Sequence, residues 1–169
     1  MIPELKRPAL AKLSIVVPCF NEEEVLPTTC SRLREVLNRL ISEEIVSDRS
    51  NLIFVDDGSD DQTWRLIASY AGKHGEINGI KLSKNQGHQN ALLAGIFSAK
   101  GDVVVTVDAD LQDDLDAIFE MMKNYYSGSE VVYGVREERD SDSLFKRWTA
   151  ENYYKLLRSL GVDLSLIHI

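Results

Sequence analysis

The sequence predicts an α/β fold: a mainly parallel sheet with helices on both faces. Three observations carry this. Short, β-branched apolar runs alternate with segments of helical periodicity along the chain, and strands joined through helices pair in parallel. The most polar stretches fall directly after those runs, where ligands bind in open parallel sheets. The 169 residues are 44% hydrophobic and 27% charged, with no repeat or low-complexity linker, as expected of one globular domain.

The elements follow in order. LSIVVPCF (13–20) is a short apolar run and reads as a buried strand. Leu26, Cys30, Leu33, Leu37, Leu40 and Ile41 recur at helical spacing. Pro27 stands near that helix's start, where its missing N–H does no harm. NLIFVDD (51–57) is the second strand, and Ser59 or Asp60 is placed to cap a helix carrying Trp64, Ile67, Ala68 and Ala71. GIKLS (79–83) is a shorter strand, followed by a helix marked by Leu92, Ile96 and Ala99. GDVVVTVD (101–108) gives the plainest strand signal of the chain. Leu115, Ile118, Phe119 and Met122 mark a fourth helix, EVVYGVR (130–136) a fifth strand, and Leu144, Phe145, Trp148, Asn152, Leu156 and Leu160 a last helix.

Composition narrows the function. A net charge of −8 argues against a nucleic-acid platform. No run approaches the roughly 18 apolar residues of a membrane span. The opening MIPELKRPALAK lacks the apolar stretch of a secretory signal, so the N-terminus reads as cytoplasmic. Cys19 and Cys30 form no CxxC or Cys/His set, which argues against zinc, and both read as core residues of a reduced compartment. His74, His88 and His168 show no metal-ligand spacing.

The sharpest motif is VDADLQD (107–113). Asp108 and Asp110 follow an apolar strand one residue apart, and alternate residues of extended chain face one side. Both carboxylates can therefore converge on one point, with Gln112 as a further oxygen if the extended path continues. Such hard ligands suit Mg²⁺ or Mn²⁺. Without a cation, a diphosphate there is repelled by about 4 kcal/mol per like-charge pair at 4 Å and an effective dielectric of 20. A plain helix N-terminus accounts equally for Asp113, Asp114 and Asp116.

Four further stretches follow strands. FVDDGSDDQT (54–63) ends a strand in two acids, and Gly58 permits a tight turn. Capping explains part of it, but Asp56 and Asp57 exceed what a cap requires, and a carboxylate there can accept from a ribose hydroxyl or a base N–H. In VPCFNEEEVLP (17–27) Pro18 stiffens the strand exit, Asn21 and Glu22 follow it, and Glu23 and Glu24 read as helix-start acids. In KLSKNQGHQNALLAG (81–95) Gly87 allows a bend or a close approach, Asn85 and Gln86 suit a sugar nucleotide, and His88 reads equally as a helix-start residue. Arg136, Arg139, Lys146 and Arg147 form a basic set in an acidic chain. Guanidinium forks match phosphate oxygens, although surface helix charges are a rival explanation for Lys146.

VPCFNEEE, VDDGSDDQT, KNQGHQNALLAG, VDADLQD and GVREER, in this order over roughly 12–160, resemble family-two inverting glycosyltransferases. The likeness is strongest to dolichyl- and undecaprenyl-phosphate sugar transferases, bactoprenol glucosyltransferases among them. The resemblance implies a GT-A-type nucleotide-binding fold. It implies that Pro18, Phe20 and Glu22 border the nucleotide, that Asp57 contacts base or ribose with Asp56 as neighbour, and that Asp108, Asp110 and Gln112 hold a divalent metal and the diphosphate. Arg136 and Arg147 become phosphate contacts, the lipid phosphate included. Asp110, Arg136 and Arg147 are the expected catalytic groups. The implied reaction moves a hexose from a UDP- or GDP-linked donor to a membrane polyprenyl phosphate at the cytoplasmic face of the membrane. The resemblance also allows a homo-oligomer.

The relatives have an acidic acceptor-side motif further on, and Asp163 is no convincing match to it. LSLIHI (164–169) matches one reading frame of a common transposon-end sequencing adapter. Residues 1–163 are thus expected to be a catalytic domain incomplete at its C-terminus, able to bind donor but poor in transfer, and 164–169 a non-native tail. Rival readings are a soluble transferase acting on polysaccharide or protein, a binding-only fragment, a sugar-nucleotide pyrophosphorylase, and a receiver-like signalling module. The pyrophosphorylase lacks its glycine-rich loop after strand one. The receiver needs an acidic pair after strand one, where PCFNEEE stands.

Overall fold

A computed structural model of the protein describes residues 8–110, 112, 114–135 and 164–168. The backbone falls into two compact units, Met1–Leu115 and Asp116–Ile169.

The first unit holds strands β1 (Leu13–Cys19), β2 (Asn51–Asp56), β3 (Ile77–Lys81) and β4 (Val103–Thr106), with helices α1 (Leu26–Ser42), α2 (Thr63–Lys73) and α3 (His88–Ser98) between them. The sheet order is β3-β2-β1-β4, and every neighbouring pair is parallel. All of β1 is buried, as is β2 from Leu52 onward. A central parallel strand is covered on both faces, which is why these two read as unbroken apolar runs.

Two glycines fix which helix covers which face. A Cβ on Gly79, the register partner of Phe54, would lie 2.7 Å from Ile67 of α2. A Cβ on Gly95 of α3 would lie 2.3 Å from Val16, the register partner of Ile53. Phe54 and Ile53 point to opposite faces, so α2 and α3 cover opposite sides. Helix α1 packs against α2 and β2. The chain thus steps outward from β1 to β2 to β3 with helices on one face, then returns past β1 to β4 with a helix on the other. That reversal keeps all crossovers of one hand. It leaves a switch point between the carboxyl ends of β1 and β4.

The edges depart from the sequence reading. The third strand begins at Ile77 rather than 79, because Ile77 is buried and pairs with Leu52. The fourth strand is confined to Val103–Thr106. Among the described residues it is the last strand of the sheet, and Val104 is 36% exposed. Neither Ser59 nor Asp60 caps α2: the helix starts at Thr63, and the Thr63 N–H donates to Asp61 at 2.9 Å.

In the second unit α4 (Ala117–Tyr126) packs against β5 (Val131–Val135) and β6 (Leu164–His168), which pair in parallel with Val131 opposite Leu164. The fifth strand therefore forms, with a partner drawn from the segment expected to be a non-native tail. The helix expected over Leu144–Leu160 lies outside the described residues. Among the described residues no helix is long and apolar enough to cross a membrane.

Candidate active site

The loops after β1, β2 and β4 converge because the ladders run past the strands. Asp57 N–H donates to the Cys19 carbonyl at 2.8 Å, Val107 N–H to that of Val16 at 3.0 Å, and Leu82 N–H to that of Asp56 at 2.9 Å. Five bonds then lace the first two loops. Asn21 N–H reaches Ser59 Oγ and Asp60 N–H reaches Asn21 Oδ1, both at 3.0 Å. Glu22 N–H donates to Thr63 Oγ1 at 2.8 Å, Glu23 N–H to Asp61 Oδ2 at 3.1 Å, and Gln62 N–H to Glu23 Oε2 at 2.8 Å. Asn21 sits at φ +56 in this lacing, a conformation asparagine tolerates better than most residues. Glu23 is thus a loop tie.

A cavity of about 270 Å³ opens beyond these strand ends. Pro18, Cys19, Phe20 and Glu22 line it from β1, Asp57 from β2, Asn85, Gly87, His88 and Ala91 from the β3–α3 loop and α3, and Asp108, Ala109 and Asp110 from β4. The two aspartates therefore share one cavity, although the strand ends at Thr106 and Ala109 and Asp110 already belong to a turn. Asp110 Oδ1 accepts the Gln112 N–H at 3.1 Å. His88 Nε2 lies 3.8 Å from Asp108 Oδ1, whose side chain is 61% exposed and open to a ligand. Thr29 Oγ1 donates to the Ala109 carbonyl at 2.6 Å, anchoring the backbone between the aspartates to α1.

The site is electrically acidic. Burial raises the Glu22 carboxyl above its usual range, and Asp110, Asp61 and Asp108 push it further the same way. Burial, followed by Glu22 and Asp56, pushes the Cys19 thiol far above the ordinary range, which leaves it an inert wall residue. Asp61 goes the other way: burial raises it, but hydrogen bonds from Thr63 and the Glu23 N–H outweigh burial and hold it low.

A divalent cation fits this donor set. Among the described residues no three acidic, cysteine or histidine groups cluster into an all-protein cage. Asp108 and Asp110 are two carboxylates facing open space, the arrangement in which Mg²⁺ takes one or two protein oxygens and completes its shell with phosphate and water. The pressure on Glu22 marks the negative charge that such a cation would offset.

Other expected site residues are placed differently. Gln112 meets Asp110 through its backbone and is not on the cavity wall. Asp56 is fully buried and also off the wall. Its Oδ1 accepts the Ser59 N–H at 3.3 Å, and its Oδ2 has no partner. Asp57 is on the wall but only 2% exposed, and its Oδ1 and Oδ2 accept the Gln86 and Gly87 N–H groups at 2.8 and 2.9 Å. Arg136 and Arg147 lie outside the described residues. His88 faces Asp108 rather than serving only as a helix-start residue.

A parallel sheet wound from β1 in both directions, with an acidic pair at its switch point, defines a GT-A-type glycosyltransferase domain. The chain belongs to glycosyl transferase family 2, whose model matches residues 14–167. It is 49% identical to the uncharacterized glycosyltransferase YkoT of Bacillus subtilis, over 92% of this chain and 47% of that protein. It is 36% identical to a prophage bactoprenol glucosyl transferase homolog of Escherichia coli, over 86% of this chain and 45% of that protein. The chain thus spans about half the length of these relatives. Among solved structures, the mannosyltransferase PcManGT of Pyrobaculum calidifontis, in complex with GDP-Man and Mn²⁺, matches with a TM-score of 0.59 at 23% identity, over 78% of this chain and 37% of that one. S. aureus TarS matches with a TM-score of 0.53 at 22% identity, over 78% of this chain and 38% of that one. At such identities these two speak for the fold alone. Family membership sets aside the receiver reading.

Proposed function

We propose that this domain binds a nucleoside-diphosphate hexose and serves its transfer to a membrane polyprenyl phosphate, with inversion at the anomeric carbon. The observation that carries the reading is the shared cavity of Asp108 and Asp110, bordered by Phe20 and Glu22, at the switch point of the sheet. The likeness to bactoprenol glucosyl transferases favours the lipid acceptor over polysaccharide, and glucose as the sugar; UDP is the carrier we propose for it.

Pro18, Phe20 and Glu22 border the nucleotide. Phe20 is 41% exposed and offers a ring face for a base. Asp57, on the cavity wall, contacts the base or ribose, with Asp56 buried as its neighbour. Asp108 and Asp110, with Gln112 beside them, hold Mg²⁺ or Mn²⁺ and orient the diphosphate. The bound cation would supply charge stabilisation for the departing diphosphate. Arg136 and Arg147 contact phosphates, that of the lipid included. An acceptor phosphate oxygen attacks the anomeric carbon, the bond to the diphosphate oxygen breaks, and the nucleoside diphosphate leaves with the electron pair. The acceptor is already anionic, so no general base has to remove a proton. The setting is the cytoplasmic face of a membrane.

Calorimetry with UDP-glucose and GDP-mannose, with and without Mn²⁺, tests the donor half. The expected result is Mn²⁺-dependent binding, tighter for UDP-glucose. A folded chain that binds neither nucleotide with the metal overturns the reading. Transfer to a short polyprenyl phosphate by a full-length relative tests the acceptor half, and transfer only to polysaccharide would favour the soluble alternative.

A further inference from the structure

The polar side chains around the cavity divide by chemistry. Glu22, Asp57, Asp108 and Asp110 bring carboxyl groups, from the loops after β1, β2 and β4. Asn85 and His88 bring N–H groups, from the loop after β3 and the first position of α3. Among the described residues that line the cavity, His88 is the one basic side chain. Its place is set by backbone: Gly87 holds φ +88, and α3 opens on the next residue with no side-chain cap. Asn85 Oδ1 accepts the Gly87 N–H at 2.9 Å, which leaves the amide nitrogen of Asn85 to donate. His88 Nε2 stands 3.8 Å from Asp108 Oδ1, beyond the roughly 2.7–3.2 Å of an N–H···O bond. The two side chains are 54% and 61% exposed. The imidazole is therefore neither locked to Asp108 nor shut away from a ligand.

We propose that His88 binds the sugar donor directly, its imidazole N–H donating to the diphosphate. This rests on the reading of the cavity as a nucleoside-diphosphate site. The diphosphate of a nucleotide sugar has acceptor oxygens only, and ionised carboxylates are acceptors as well. A cation held by Asp108 and Asp110 satisfies some of the phosphate oxygens, and the remainder need N–H donors. His88 is beside Asp108, so a phosphate that completes the shell of that cation lies next to the imidazole. Donation to an anionic oxygen is stronger than donation to a neutral one.

Calorimetry in Mn²⁺ compares UDP binding to the whole chain, to His88→Leu and to His88→Gln; GDP and guanosine replace UDP and uridine if the parent prefers them. Leucine and glutamine are similar in bulk, but only glutamine can donate. His88→Leu is expected to weaken UDP by about 10-fold, the worth of one hydrogen bond to a charged group, and His88→Gln to keep most of the affinity. Two variants that bind like the parent, or that lose equally, overturn the role. So does a loss that disappears as Mn²⁺ is raised, because His88 would then act on the metal through Asp108. Uridine competes through base and ribose alone, so its power to displace UDP should be the same on the parent and on His88→Leu. An equal loss there would move His88 off the diphosphate and overturn the assignment. Ring signals of the three histidines in the unmodified chain cover variants that fail to fold. One of them should shift when UDP is added with Mg²⁺, and no shift in any overturns the contact. An unmodified chain that binds neither UDP nor GDP overturns the proposed function and this role with it, whereas the other failures remove only the role of His88.

Discussion

The Thr29 hydroxyl lies 2.6 Å from the Ala109 carbonyl and 3.0 Å from that of Val25, and its single proton serves the nearer oxygen. Thr29 is 1% and Ala109 4% exposed. Thr29→Val keeps the volume and strands a buried carbonyl, at a cost of about 1–3 kcal/mol. Urea unfolding should show that loss. Because Ala109 separates Asp108 from Asp110, Mn²⁺-dependent UDP binding should weaken as well. Unchanged binding would mean that the α1 tie does not set the aspartates.

Gly58→Ala is expected to destabilise the chain by about 2–5 kcal/mol. The substituted residue must hold φ +69, and its Cβ meets Lys84 and Asn85 backbone at 2.5–2.7 Å. A left-handed non-glycine residue costs about 1–2 kcal/mol, and overpacking about 1–3 kcal/mol more. Thermal unfolding measures the sum. A variant as stable as the parent would show that the 84–85 backbone can retreat freely.

How far the sequence spoke for itself depended on whether the deciding contacts were local. β1 and β2 were legible because burial on both faces leaves an unbroken apolar run. Asp108 and Asp110 were legible as a pair because they follow an apolar run directly, even though the backbone turns at Ala109 instead of running on. Ser59 was misread as a cap because its partner, the Asn21 N–H, lies 38 residues away. A separation of 39 residues hid the Glu23 tie to Gln62. The bonds that Asp57 accepts from the Gln86 and Gly87 N–H groups were hidden for a related reason: those partners are 29 and 30 residues off. Gly58 and Gly87 marked a tight turn and a bend there, but not which backbone each one meets. The strand formed by 164–168 could not be inferred, since pairing of five residues with β5 is decided by tertiary placement rather than by periodicity.

Arg34 and Glu76 give a pH-dependent contribution remote from the cavity. Their Nε–Oε1 distance is 2.7 Å, and the side chains are 31% and 28% exposed. Burial raises Glu76, but its own backbone N–H and the Arg34 bond and charge outweigh burial and hold the carboxyl below its usual range. A lowered folded-state value means stability present above the unfolded carboxyl range and lost as pH falls through the folded value. Arg34→Met should therefore lose about 1 kcal/mol at pH 7, with the gap to the parent closing in acid. Urea midpoints across pH 7 to 3.5 (about neutral to just below the carboxyl range) check this, and a gap that stays constant would place the cost in lost packing.

Glu22 carries the opposite sign. Burial comes first among the causes that raise it, followed by Asp110, Asp61 and Asp108. A raised folded-state carboxyl means that ionisation weakens the fold: the penalty is absent below the unfolded range and grows as pH rises through the folded value. Without divalent metal, Glu22→Gln should melt higher than the parent at neutral pH, by less than about 1 kcal/mol because the group is partly solvated. The advantage should fade as pH falls below the ordinary glutamate range. A cation held by Asp108 and Asp110 offsets two of the charges that press on Glu22, so Mn²⁺ should stabilise the parent more than the variant and shrink the gap at neutral pH. Melting curves with and without Mn²⁺ at two pH values separate the cases. A gap indifferent to the metal would mean that the ion does not bind beside Glu22, and the assignment of Asp108 and Asp110 as its ligands would fall.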